Sequence, residues 1–391
     1  MITDPMTLAV TLIGITTGVY AVSTFPRLAP LFRFFPPVVW LYFVPMLLAT
    51  AGLLPAEHSL YSALAKYALP MALVLLTVST DLRAIASVGM PALIALAAGA
   101  FGVCMGSILS LFLFSSWLPD DVWRALTMLN ASWIGGSANM VAMQQSLNVP
   151  AEYVGPIVVV DTVVAYSWLG ILIALSTYQT SIDKVLRADL TALNKVATQL
   201  EAAREEFSVA SVHSICIVLG AGLVAAFLSR LAGEALPELG DPKIITATTW
   251  AILISVSVGL LLSGSRLGRV ARRHRASEYA YAALFLLLVS VGAQADLRAV
   301  TEAPLFLVVG VVVLATHLVI LLAICRYLRL PSFFVAVGSM ANIGGAVSGP
   351  VAAAAYRPAL APVGALLGVA GYILGIYLPL AVAFVLSSIA G

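Results

Sequence analysis

The residues best suited to chemistry lie between Asn130 and Asp161, in NASWIGGSANMVAMQQSLNVPAEYVGPIVVVD. Gly135 and Gly136 stand side by side there, with Asn130, Ser132, Ser137, Asn139, Gln144 and Gln145 around them. Paired glycines interrupt a helix, because they forgo side-chain contacts and admit backbone angles closed to other residues. Interrupted backbone leaves N–H and C=O groups unspent, and nearby amides and hydroxyls can complete a shell around an ion or polar solute. Asp161 follows in an apolar run with no basic neighbour in sequence. A carboxylate that stays charged in hydrocarbon costs about 2.5–3.5 kcal/mol. Asp161 must therefore face a polar cavity, bind a cation or take up a proton. This makes Asp161, with Thr162, Asn139 and Ser137, the candidate ion-coupling group. The quieter reading has Asp161 hydrogen-bonded to broken backbone, and the small polar residues easing helix packing.

The same device recurs near the C-terminus as SMANIGGAVS, Ser339 to Ser348. Gly135–Gly136 maps onto Gly344–Gly345 with an offset of 209, which also carries Val154–Gly155 onto Val363–Gly364. Upstream, Asp81-Leu82-Arg83-Ala84 recurs as Asp296-Leu297-Arg298-Ala299 at an offset of 215. Three ordered matches at nearly one offset indicate an internal duplication. Paired interrupted segments in two halves point to a transporter's binding site. The candidate solute ligands are Asn130, Ser132, Gly135 and Gly136 from the first motif. Ser339, Asn342, Gly344, Gly345 and Ser348 come from the second. Asp161 has Ala370 as its repeat partner, so one carboxylate is expected. His317, in the apolar run VVVLATHLVILLAIC, is either a proton relay or a packed, hydrogen-bonded histidine.

The elements that must position these residues are membrane helices. The chain is 61% hydrophobic and 10% charged, whereas soluble domains carry about 25% charged residues. The net charge of +2 says nothing about nucleic acid and no basic-aromatic patch suggests it, so no nucleic-acid partner is expected. Cys104, Cys216 and Cys325 lack CxxC spacing and read as buried thiols. The absence of HExxH, Walker and GxSxG patterns argues against an enzyme. No metal centre is expected beyond a sodium ion at Asp161, and no other cofactor. Residues 1–5 lack a basic leader region, so the first helix is expected to stay in the mature protein.

Twelve segments approach the roughly 20 apolar residues a span needs. They cover 6–24, 37–54, 60–79, 87–113, 122–147 and 152–178, then 208–231, 243–263, 278–295, 303–325, 332–355 and 359–388. The expected organisation is a first membrane repeat over 1–178, an amphipathic linker helix over 179–207 and a second repeat over 208–391. The linker reads as an interfacial joint, or alternatively as a helical contact in a homodimer. If the two glycine-pair segments enter and leave on one face, fifteen of the twenty Lys and Arg residues fall inside. Twelve crossings give thirteen. The ten-crossing count also makes the repeats inverted.

NASWIGGSANMVAM, VVVDTVVAY, DLRAV and SMANIGGAVSGP together resemble the YjcL-like family of bacterial integral membrane proteins (domain of unknown function 819). That family is grouped with the cation/proton antiporter and bile-acid symporter superfamily. The resemblance implies an all-α polytopic fold of two inverted repeats whose two discontinuous helices cross in a core domain. Segments 4–6 and 10–12 would form that core, and segments 1–3 and 7–9 a panel, with elevator-type motion. It also implies a coupling carboxylate just after the first broken helix, where Asp161 stands. Asp161-Thr162 departs from the Asp-Asn that such relatives often carry. Their broken helices cross the membrane, in contrast to the re-entrant count.

The function expected is sodium- or proton-coupled symport of a small organic solute (organic anion, amino acid or short peptide) across the bacterial inner membrane. A sodium/proton antiporter without organic substrate is the first alternative. A non-transporting sensor or assembly module is the second. The expected partners are the lipid bilayer, the solute and a monovalent cation.

Overall fold

In the computed structural model, residues 2–191, 193, 212–295, 297–298 and 304–390 are described. They form helices and no strand. In chain order the main helices are α1 (Pro5–Ser23), α2 (Pro37–Thr50), α3 (Leu69–Val78), α4 (Met90–Phe114), α5 (Val122–Gly135), α6 (Ser137–Ser146), α7 (Ala151–Ser176) and α8 (Gln179–Leu186). The second half adds α9 (Val212–Glu234), α10 (Ala247–Ser263), α11 (Arg266–Arg273), α12 (Ala276–Gln294), α13 (Leu305–Tyr327), α14 (Ser332–Ile343), α15 (Gly345–Tyr356) and α16 (Ala361–Ala390). Among the described residues, eight helices are long and apolar enough to span a membrane, or ten if each sharply bent pair counts as one span. The protein is an all-α, multi-pass membrane protein.

The chain divides into two compact units, and both halves of the sequence contribute to each. The first takes residues 1–80, 141–162 and 207–306; the second takes 81–140, 163–206 and 307–391.

The first unit is built on α3, all ten of whose residues are buried. Glycines let neighbouring helices approach it closely. A Cβ at Gly222 of α9 would lie 3.0 Å from the Leu75 side chain, and one at Gly259 of α10 would lie 2.9 Å from Thr77 Cβ. Ahead of α3, the chain makes a π-helical turn over Leu64–Ala68. Arg272 of α11 donates from Nη1 to the carbonyls of Thr80 and Ser263, both at 3.1 Å.

In the second unit α4 and α13 pack backbone to backbone. A Cβ at Gly102 would lie 2.7 Å from His317 Cα, and one at Gly106 would lie 2.8 Å from Val313 Cα. Ser110 Oγ reaches the Val309 carbonyl at 3.5 Å. As one number rises by four the other falls by four, so the helices run antiparallel. Small residues allow this approach in a membrane, where helix association depends on packing rather than on hydrophobic exclusion.

The linker departs from a single helix over 179–207. α8 stops at Leu186, because Arg187 takes the left-handed conformation (φ 53) and the Ala188 N–H turns back to the Asp183 carbonyl at 2.9 Å. This is a helix stop of the Schellman type. Leu186 and Leu193 then join the second unit's core beside Ile85, Val88, Phe333 and Phe334. The Asp183 carboxylate accepts from the Ser332 N–H at 2.7 Å and so caps α14. The start of the linker is thus anchored to protein. Lys195, Ala197, Leu200, Glu201, Arg204, Glu205 and Phe207 lie outside the described residues. So do Asp296 and Ala299 of the repeated tetrapeptide; its first copy is a cap, with Asp81 accepting from Arg83 N and Ala84 N at 2.9 and 3.0 Å.

Candidate functional site

The glycine pairs interrupt helices where the sequence placed the breaks. α5 ends as Gly136 takes φ 80 and ψ −176, a combination essentially confined to glycine. Its N–H closes α5 on the Ser132 carbonyl at 2.6 Å, and its own carbonyl opens α6 by accepting from Asn139 N at 3.0 Å. α14 ends likewise. The Gly344 N–H bonds to the Met340 carbonyl at 2.9 Å, and Gly345, at φ 58, begins α15.

The two breaks meet. A Cβ at Gly345 would lie 3.5 Å from Gly136 Cα, and one at Gly136 would lie 3.8 Å from Gly345 Cα. Space alone would admit a methyl group at either position, so it is the positive φ that demands glycine. Four helix ends therefore converge. α6 and α15 present N-termini with unspent N–H groups, while α5 and α14 present C-termini with unspent carbonyls. Such a point offers both signs of partial charge without a formal charge. No Asp, Glu, Lys or Arg belongs to the fully buried set of the described residues.

Polar side chains are carried by the helices that form the crossing. Asn139 is buried and donates from Nδ2 to the Tyr372 carbonyl of α16 at 2.9 Å. Ser137 is half-buried at the start of α6. Ser348 is 1% exposed, lies against Gly344, and its hydroxyl has no partner among the described residues. Asn342 is fully buried. Its Nδ2 donates to the carbonyls of Leu96 (2.9 Å) and Gly338 (2.8 Å), which leaves Oδ1 without a partner. Asn130 accepts from Ser107 Oγ, and its Nδ2 is unpartnered. Ser132 is buried beside the first break.

A separate hydrogen-bond chain runs through His317, which is fully buried. Its Nδ1 lies 2.8 Å from the Gly99 carbonyl and its Nε2 2.8 Å from Ser339 Oγ. A carbonyl only accepts, so Nδ1 carries the proton. In the neutral ring Nε2 then accepts from the Ser339 hydroxyl. Ser339 Oγ in turn accepts from Trp168 Nε1 at 2.9 Å. The chain therefore has one direction, from Trp168 through Ser339 and His317 to Gly99.

The crossing brings together Gly135, Gly136, Asn139, Gly344, Gly345 and Ser348, whereas Ser339 and His317 belong to the second network. Asp161 is half-buried and Thr162 is 4% exposed; both lie on the part of α7 that belongs to the first unit. Two features went unread in the sequence. One is the ladder Gly364, Gly368, Gly371, Gly375, which lays α16 along both broken helices. A Cβ at Gly371 would lie 2.5 Å from the Ile134 carbonyl, and one at Gly375 would lie 2.7 Å from Gly135 Cα. Its 4-3-4 spacing is the signal that could have revealed it. The other is Tyr372, whose carbonyl holds Asn139 and carries no side-chain signature.

The family model described as "Protein of unknown function (DUF819)" matches residues 11–389. The chain belongs to that family. It is 26% identical over 347 residues to "Uncharacterized membrane protein YjcL" of Bacillus subtilis (strain 168), a match that covers 85% of each chain. The family match takes in both glycine-pair breaks, the α16 ladder and Asp161, so the crossed arrangement lies wholly within the region that defines the family.

Proposed function

We propose that this protein is a secondary active transporter that couples entry of sodium or protons to movement of a small organic solute, by an elevator-type motion in which the unit holding the crossed helices travels as one body. The observation that carries the reading is the meeting of Gly136 and Gly345. Each is the break of its own helix, and the two are repeat equivalents at the offset of 209. Contact between equivalent residues supports a pseudo-twofold relation of the two halves. A second pair does the same: Gly102 maps onto His317 at the offset of 215, and the two face each other where α4 and α13 run antiparallel. Inverted repeats are the arrangement these contacts favour, and they suit alternating access.

The solute class is an organic anion, amino acid or short peptide. The α6 and α15 N-termini favour an anionic group, while Ser348 Oγ and Asn342 Oδ1 offer hydrogen bonds. Asp161 is the coupling carboxylate, acting at the inner membrane of a bacterium. The test is a thermal-shift titration of sodium from mildly acidic to mildly alkaline pH, on wild type and Asp161→Asn, with and without candidate solutes. Saturating sodium at about 100 times its Kd adds about 2.7 kcal/mol to wild type and nothing to the variant. An equal sodium response in both proteins would remove Asp161 from the mechanism. A sodium and pH response that no solute modifies would favour sodium/proton antiport.

A further inference from the structure

We propose a binding site for the headgroup of an anionic phospholipid on the second unit, in the cavity between α8 and the turn that joins α15 to α16. The site stands apart from the transport reading. The cavity measures about 440 Å³, and its lining includes Lys184, Arg187 and Arg357 together with Asp183. Three cations against one carboxylate leave it net positive. That carboxylate is already engaged, since it caps α14 through the Ser332 N–H. The geometry is built rather than incidental. Arg187 sits at the left-handed residue that stops α8, and Lys184 lies one turn earlier on the same face.

The surroundings point to a lipid as the source of the anion. α8 begins three residues after the membrane helix α7 ends, which places it at the bilayer surface. Beside the basic cavity, the apolar side chains of Tyr178 and Val185 are 64% and 71% exposed. Leu190, a lining residue, is 40% exposed. Exposed apolar groups flanking a basic pocket at this depth match acyl chains below a phosphate. The Asp189 N–H bonds to the Arg329 carbonyl at 2.8 Å, which ties this corner to the α13–α14 turn and its own exposed Tyr327. The positive-inside count puts these basic residues on the cytoplasmic face, where anionic lipid is concentrated.

The experiment is native mass spectrometry of the full chain in detergent, titrated with phosphatidylglycerol or phosphatidylcholine. Wild type is expected to retain about one phosphatidylglycerol per chain in preference to phosphatidylcholine. In Lys184→Gln/Arg187→Asn the affinity should fall about twenty-five-fold, because each basic group at a lipid surface contributes about a factor of five. Asparagine is chosen because it tolerates the left-handed backbone at 187. If the double variant does not fold, the single charge reversal Lys184→Glu, at an exposed position, gives the same reading. Undiminished phosphatidylglycerol retention in a folded variant would overturn the proposal. So would a loss that instead follows Arg269→Gln/Arg273→Gln on α11. Saturation of the site by inorganic phosphate alone would show a soluble-anion site and overturn the lipid assignment.

Discussion

Gly102→Ala is the sharpest perturbation of the packing that holds the second unit together. Its new Cβ would stand 2.7 Å from His317 Cα, where carbon atoms ordinarily rest about 3.5–4.0 Å apart. The neighbour is backbone and cannot rotate aside, so α4 and α13 must separate by about 1 Å. The bond from His317 Nδ1 to the Gly99 carbonyl spans the same gap at 2.8 Å. Opened by that amount it passes the limit of a hydrogen bond. Overpacking costs about 1–3 kcal/mol, and a buried bond left broken costs about 1–3 kcal/mol. For a chain of this size each kcal/mol moves the melting temperature by about 2 °C, so a fall of about 4–12 °C is expected. Tryptophan fluorescence on heating is the assay, since Trp168 bonds directly to Ser339 at the end of this network. Gly14→Ala is the matched control. Nothing lies within 4 Å of its Cβ, and alanine in a helix gains up to about 1 kcal/mol over glycine. The control should melt at or slightly above wild type. Equal melting of Gly102→Ala and Gly14→Ala would refute the close approach of α4 and α13.

Other outcomes follow from the same contacts. Gly136→Ala should abolish transport while costing about 1–3 kcal/mol, because its backbone angles are closed to alanine although space is available; uptake in reconstituted vesicles alongside a melting curve separates the two effects. Asp183→Ala should lower stability by about 1 kcal/mol through loss of the α14 cap, seen as a small fall in melting temperature that Asp183→Asn partly restores. His317→Phe should destabilise the protein by about 1–3 kcal/mol, because the Ser339 hydroxyl would lose its buried acceptor and the Gly99 carbonyl its side-chain donor; a folded, fully active His317→Gln with an unchanged pH profile would exclude a proton relay there. Cys216 should react with a membrane-permeant maleimide in the folded protein, whereas Cys104 and Cys325 should react only on unfolding, as mass spectrometry would show.

What the sequence discloses and what it hides divide along physical lines. The breaks at Gly136 and Gly344–Gly345 were legible, because two adjacent glycines in apolar sequence have few other uses. The membrane class was equally plain from 61% hydrophobic residues. The contact between the two breaks was not legible, since no local pattern encodes a pairing across 209 residues. Cys216 was read as buried and is exposed. In a membrane helix an apolar run gives no clue to which face meets lipid, because both environments are apolar. The stop at Arg187 was also missed. The apolar spacing continues past it, and a left-handed arginine leaves none of the signal that glycine would.

Under the proposed duplication, the departures from symmetry are informative. Where the scaffold repeats, the side chains differ: Asn139 answers to Ser348, Trp133 to Asn342, and Asp161 to Ala370 at the offset of 209. Gly371 and Gly375 of α16 answer to Thr162 and Tyr166 of α7. In α16 those bare positions press the helix onto α5, with the Gly371 Cβ site 2.5 Å from the Ile134 carbonyl. The same positions on α7 carry a hydroxyl and a phenol, with a carboxylate next to the first. A helix with side chains there cannot make the close approach that its equivalent makes. One half of the duplication therefore uses its helix as a brace for the crossing, and the other carries polar groups at the corresponding positions, the ones proposed above for ion coupling. Substituting Thr162 and Tyr166 with glycine would restore the ladder pattern but remove the polar groups. On this reasoning the double variant should retain its fold and lose any sodium-dependent thermal shift. A preserved sodium shift would assign those groups to packing instead.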